Sequence, residues 1–85
     1  MENPTPPMWR LKDLLPQLQG RISDVDFSTV ERTYNLLQRN PDQKYVARCS
    51  AQYLESFAGI EYEAGSKGRV FLEAAIKLLY EIGNN

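Results

Sequence analysis

The sequence predicts an all-α fold: a compact, four-helix bundle-like single domain behind a short proline-rich N-terminal arm. Three observations predict it. Apolar residues recur at three- and four-residue intervals along four separate stretches. No stretch alternates apolar and polar residues with β-branched enrichment, and no Asn-Gly or Asp-Gly hairpin occurs. The chain is 85 residues long, a length that makes one domain with a thin core. The expected division is an extended arm over 1–7 and one helical domain over 8–85, with helices at about 8–20, 27–39, 41–58 and 69–82.

Each element has a local reason. Three prolines within residues 2–7 bias that stretch to extended conformations, and Pro7 suits the first turn of a helix. Met8, Leu11, Leu14, Leu15, Leu18 and Ile22 then form one stripe. Pro16 interrupts it, so the helix either kinks there or ends near Leu15 and restarts, with Gly20 marking its end. Ser23 to Asp26 read as a cap-rich turn. Ser28 and Glu31 have capping-box spacing, and Phe27, Val30, Tyr34 and Leu37 follow as the second stripe. Asn40-Pro41 stops that helix and supplies an N-cap and a first residue for the next. The third stripe is read as Val46, Cys49, Tyr53, Phe57 and Ile60, widened by Tyr45, Leu54 and Ala58. Its helix ends at Gly59 or runs on to Ala64, with Gly65 as the stop.

The fourth stretch differs. Apolar residues from Val70 to Ile82 cover most of the helix circumference, and Glu73, Lys77 and Glu81 keep one narrow charged line. A helix apolar nearly all round is buried on several sides. This one is either the central helix of the fold or a helix that also faces a partner chain. Its i,i+4 charge pairs contribute about 0.2–0.5 kcal/mol each, too little to hold a fold.

Composition narrows the functional classes. Ten Lys+Arg face eleven Asp+Glu, for a net charge of -1, with no His and one Cys. The commonest general base and the commonest zinc ligand are therefore missing, and a multi-cysteine site is excluded. No nucleophile has an activating His. Cys49 is expected to be a small core residue. Asp24 and Asp26 sit where caps belong, and Glu61 and Glu63 are expected in solvent at a helix end. No catalytic residue, metal ligand or cofactor is expected, and the chain is not expected to be an enzyme. No run approaches the ~18 apolar residues of a membrane span, and no export signal is recognised. The expected location is a reducing cytoplasm, that of a host cell included if the protein is viral or phage.

Two kinds of surface residue stand out. Trp9 either staples the arm to the bundle or is exposed as a binding hot spot, and Phe71 and Tyr80 lie on the over-apolar last helix. Arg32, Arg39, Lys44 and Arg48 occupy helical faces that would suit a phosphate backbone. Lys67 and Arg69 flank the Gly65–Gly68 loop before a helix N-terminus, a weak version of an anion site that matches no phosphate-loop spacing. The segment Tyr62-Glu63-Ala64-Gly65, the basic loop after it, Val70-Phe71-Leu72-Glu73 and the ending Glu81-Ile82-Gly83 is similar to part of the small helical subunits of type III CRISPR effector complexes. The similarity covers about a quarter of a chain that is shorter than that family usually is. The resemblance implies an all-α protein that lines a guide–target duplex through backbone contacts, and it carries no binding residue across.

Two functions are thereby expected in order. The first is a small non-catalytic protein–protein interaction module (an adaptor, regulator or inhibitor), bound to another protein or to itself as a homodimer through the last helix, with Trp9, Phe71 and Tyr80 as its contacts. The alternative is a nucleic-acid-binding helical subunit using Arg32, Arg39, Lys44, Arg48, Lys67 and Arg69.

Overall fold

Four helices follow one another in the computed structural model, which describes residues 6–85: α1 (Pro7–Leu18), α2 (Asp24–Arg39), α3 (Tyr45–Glu61) and α4 (Lys67–Gly83). The fold is an all-α four-helix bundle, and the described residues contain no strand. Most of the expected arm, residues 1–5, lies outside the described residues. Pro6 is exposed and Pro7 is the first helical residue, where its missing N–H costs nothing.

Contacts between helix ends set the topology. Arg10 near the start of α1 meets Glu81 near the end of α4, and Arg48 at the start of α3 meets the Gly83 carbonyl at the end of α4. Asp26 at the start of α2 meets Tyr62, just past α3. Successive helices are therefore antiparallel, and α4 packs between α1 and α3. The largest fully buried side chains are Leu11 and Leu18 of α1, Val30 of α2, Leu54 of α3, and Leu72 and Leu79 of α4. Each buried leucine contributes about 1.5–3 kcal/mol. Of the two alternatives for the last helix, the central position is realised.

The stripes of α1, α2 and α4 are those the spacing predicts, with Leu11, Leu18, Ile22, Val30, Tyr34, Leu37, Leu72, Ala75, Ile76, Leu79 and Ile82 buried. α1 runs on through Pro16 to Leu18, so the proline removes one donor near the helix end without ending the helix. Gly20, at φ +84°, then turns the chain.

Four local expectations are corrected. α2 starts at Asp24, not near 27: Ser23 is its N-cap, its hydroxyl accepting the Asp26 N–H at 3.2 Å, and Ser28 and Glu31 lie inside the helix. Asn40 does not cap α3. It ends α2, its N–H donating to the Leu36 carbonyl at 2.8 Å, and a turn over 41–44 precedes Tyr45. α3 continues past Gly59 to Glu61. The ion pairs among the described residues are Arg10–Glu81 at 2.6 Å and Arg69–Glu73 at 3.8 Å, in place of the Glu73–Lys77 and Lys77–Glu81 pairs that spacing suggests. Arg10 from α1 takes Glu81, and Arg69, one turn before Glu73 on the same row, takes Glu73.

Glycines set the close approaches around α4. A Cβ on Gly68 would stand 2.3 Å from the Arg21 carbonyl oxygen, so the α1–α2 turn lies directly on the start of α4. A Cβ on Gly83 would stand 2.4 Å from Arg48 Cγ and 3.1 Å from its backbone nitrogen, where α3 begins.

Candidate functional site

The third helix decides which surface is left over. Its buried residues are Ala47, Ala51, Leu54 and Ala58, an i, i+4, i+7, i+11 series of mostly small side chains that lets α4 approach closely. At 3.6 residues per turn, Val46, Cys49, Tyr53, Phe57 and Ile60 centre roughly a third of a turn away. The expected core stripe of α3 is therefore an outward one. Val46 is half-buried, while Cys49 is exposed, Tyr53 is 47%, Phe57 45% and Ile60 83% exposed. Cys49 is a free surface thiol, not the core residue the sequence suggests. Tyr53 and Phe57 stand against each other with ring centroids 5.3 Å apart at 60°, a tilted pair already formed on the surface. Thr33 and Ser50 share a 2.6 Å hydrogen bond between α2 and α3 beside this face.

Such a stripe is unusual because exposed apolar residues are ordinarily scattered singly. The signal that could have found it is in the sequence. Alanines at 47, 51 and 58 mark the side on which a neighbouring helix comes close, which leaves the larger residues to the other side.

The three residues expected at a partner surface are placed separately. Trp9 is 68% exposed, beside a cleft of about 190 Å³ lined with Met8, Lys12, Tyr34 and Gln38. Exposure, not stapling, is its arrangement. Phe71 packs partly against the core, and the Arg21 guanidinium lies 5.2 Å from its ring centroid. The Tyr80 hydroxyl donates to Glu55 Oε1 at 2.9 Å, and that carboxylate raises the phenol above its ordinary value. Tyr80 also edges a groove of about 440 Å³ between α3 and α4, whose rim carries Glu55, Arg69, Glu73 and Lys77 over Ala58, Gly59 and Ile76.

Three of the six cations are bonded within the chain, and the other three are exposed. Lys44 donates to the Asn85 carbonyl and Arg48 to the Gly83 carbonyl, so both satisfy carbonyls at the negative end of α4. Arg69, about 20 Å away along α4 by helical rise, donates to the Tyr62 carbonyl and pairs with Glu73. Lys67 is exposed near it, and Arg32 and Arg39 are exposed on α2. At the start of α4, Ser66 Oγ accepts the Arg69 N–H at 3.2 Å and donates to the Glu63 carbonyl at 2.8 Å, an ordinary N-cap.

The acidic pairs have a different outcome. Asp26 is 3% exposed. The Tyr62 hydroxyl donates to its Oδ2 at 2.7 Å and accepts the Ser23 N–H at 2.8 Å. One phenol thus ties the α1–α2 turn, the start of α2 and the end of α3. Burial chiefly pushes the Tyr62 phenol above its ordinary value. Loss of solvent, followed by the neighbouring Asp26 carboxylate, raises the Glu61 carboxyl. No pattern around Tyr62 announces this junction, because its partners lie 36 and 39 residues away.

Among the described residues, no helix is long and apolar enough to cross a membrane, and no three His, Cys, Asp or Glu side chains gather as a metal group would require. Comparison of the chain with protein-family models, with curated proteins and with solved structures gives no match.

Proposed function

We propose that the chain is a small non-catalytic helical module that works by binding another protein or a second copy of itself, in a reducing cytoplasm. The observation that carries this reading is the outward stripe Val46, Cys49, Tyr53, Phe57 and Ile60 of α3, an apolar surface the bundle does not use. Aromatic residues on such a face are typical anchors of protein interfaces. Trp9 offers a second contact on α1. The proposal moves the partner surface from α4 to α3, because α4 spends its apolar sides on α1 and α3 and leaves only Val70 and Ala74 of its apolar residues exposed. A surface thiol such as Cys49 suits a reducing compartment.

Nucleic-acid binding is the second reading. It rests on the exposed Arg32, Arg39 and Lys67, and has less support because Lys44, Arg48 and Arg69 are engaged within the chain.

The test is a tagged pull-down from native lysate, with and without nuclease, using the wild type and Tyr53→Asp. Protein partners that survive nuclease and are lost with Tyr53→Asp support the module. Partners that vanish with nuclease and ignore Tyr53→Asp overturn it in favour of nucleic acid. That binding should weaken steeply with salt as counterions are released.

A further inference from the structure

We infer that the partner of the α3 stripe is an amphipathic helix with acidic residues beside its apolar ones, laid lengthwise in the outer groove between α2 and α3. The inference rests on the interaction-module reading and names the partner's chemistry. The 2.6 Å bond between Thr33 and Ser50 marks where α2 and α3 meet. On the solvent side of that seam Thr29 and Leu36 of α2 are half-buried, and the Tyr53–Phe57 pair stands on α3. The next row outward on α2 is Val25, Arg32 and Arg39, spaced seven residues apart and all exposed. Two guanidiniums thus edge a groove whose α3 side is apolar.

Charge along this face has one sign. The acids of α2 and α3 point elsewhere. Asp24 and Glu31 fall about a quarter turn from the row of Arg32 and Arg39. Asp26 is buried against Tyr62, Glu55 is held by Tyr80 of α4, and Glu61 stands beside Asp26. The ion pairs among the described residues use neither Arg32 nor Arg39. A partner with carboxylates along this edge meets two unopposed cations, and such complementarity orients a complex. A second copy brings the same two guanidiniums to the face and no acid to match them. A nucleic acid finds only two cations here, too few for the steep counterion release of tight phosphate binding.

Backbone chemistry selects a helix. Both walls of the groove are helices whose main-chain groups are already paired. The hydroxyls beside it are also spent: Thr29 donates to the Val25 carbonyl at 2.9 Å, Thr33 to the Thr29 carbonyl at 2.7 Å, and Ser56 to the Gln52 carbonyl at 2.8 Å. An extended segment would lay unpaired amides on this surface, whereas a helix brings its own hydrogen bonds. The stripe from Val46 to Ile60 spans about 21 Å, close to four turns of a partner helix.

The test is fluorescence anisotropy on the full chain with two labelled synthetic peptides of about 18 residues. Each is held helical by a hydrocarbon staple and presents a leucine face, flanked by glutamates in one and by lysines in the other. The glutamate peptide should bind about tenfold more tightly. The double variant Arg32→Glu/Arg39→Glu should reverse that order with an unchanged helical circular-dichroism spectrum, and Tyr53→Asp should abolish binding of both peptides.

Equal affinity of the wild type for the two peptides, no binding of either at millimolar concentration, or an order that the arginine variant leaves unchanged overturns the inference. A labelled oligothymidylate that binds more tightly than the glutamate peptide, and is lost with the arginine variant, overturns it in favour of nucleic acid. If the inference fails while Tyr53→Asp still abolishes capture of a nuclease-resistant protein that the arginine variant retains, the module reading stands and only the partner's chemistry is wrong.

Discussion

Replacing Gly68 and Gly59 by alanine should move stability in opposite directions, although both lie in helices. At Gly68 the added Cβ would stand 2.3 Å from the Arg21 carbonyl oxygen, well inside the 3.0 Å that real Cβ contacts respect. The obstacle is backbone, and it belongs to a turn held by the Ser23–Tyr62 hydrogen bond, so it cannot rotate away. Overpacking of this kind costs about 1–3 kcal/mol, against a helix-propensity gain of at most about 1 kcal/mol. Gly68→Ala should therefore lose about 1–2 kcal/mol, which lowers Tm by about 4–15 °C in a domain of this size. At Gly59 the nearest atom to an added Cβ is Arg69 Nη2 at 3.8 Å, an ordinary contact. Gly59→Ala should gain about 0.5–1 kcal/mol and raise Tm by about 2–8 °C. Thermal and urea unfolding followed by circular dichroism at 222 nm would read both variants beside the wild type. A Gly68→Ala protein as stable as Gly59→Ala would refute the close approach of the α1–α2 turn to α4.

Two further outcomes follow from the Tyr62 junction. Tyr62→Phe leaves the buried Asp26 oxygen and the Ser23 N–H without their partner, and should cost about 1–3 kcal/mol in urea unfolding; an unchanged midpoint would remove the junction's structural role. Glu61→Gln should stabilise the protein at neutral pH. The Glu61 carboxyl is raised from 4.5 in the folded state, so its contribution to stability is fully present below that value and is lost as pH rises through the folded pKa. The gain over wild type should therefore appear at pH 7 and fade below about pH 4 in paired Tm measurements. A gain that persists at low pH would mean that the ionised Glu61 is not its source.

Much of the bundle was legible because three helices put their largest apolar residues inward. Leu11 and Leu18, Val30 and Tyr34, and Leu72 and Leu79 all lie where their spacing predicts. The third helix was misread because size and burial part company there. Alanines 47, 51 and 58 carry little hydrophobic weight, yet they are the residues that admit a close neighbour, and Tyr53, Phe57 and Ile60 are turned outward by default. A similar ambiguity set the start of α2. Ser23 with Asp26 and Ser28 with Glu31 are both serine–acid pairs at cap spacing. The choice falls to the first pair, where Tyr62 from the end of α3 completes the hydrogen bonding. Lys44 and Arg48 could not have been assigned from local sequence, since the carbonyls they serve lie 41 and 35 residues away. The candidate surface was visible as a residue list but not as a surface: its spacing was read correctly and its direction was not.

The bond from the Ser23 N–H to the Tyr62 hydroxyl has a consequence for how the bundle opens. Most amides in a four-helix protein are held by carbonyls four residues away, and they exchange with solvent whenever their own turn frays. Ser23 is held by a side chain 39 residues distant, beyond two intervening helices. Its exchange clock is set by the undocking of the α3 end from the α2 start, however intact each helix remains. In a hydrogen–deuterium experiment, this single amide should keep time with the bundle rather than with its own helix.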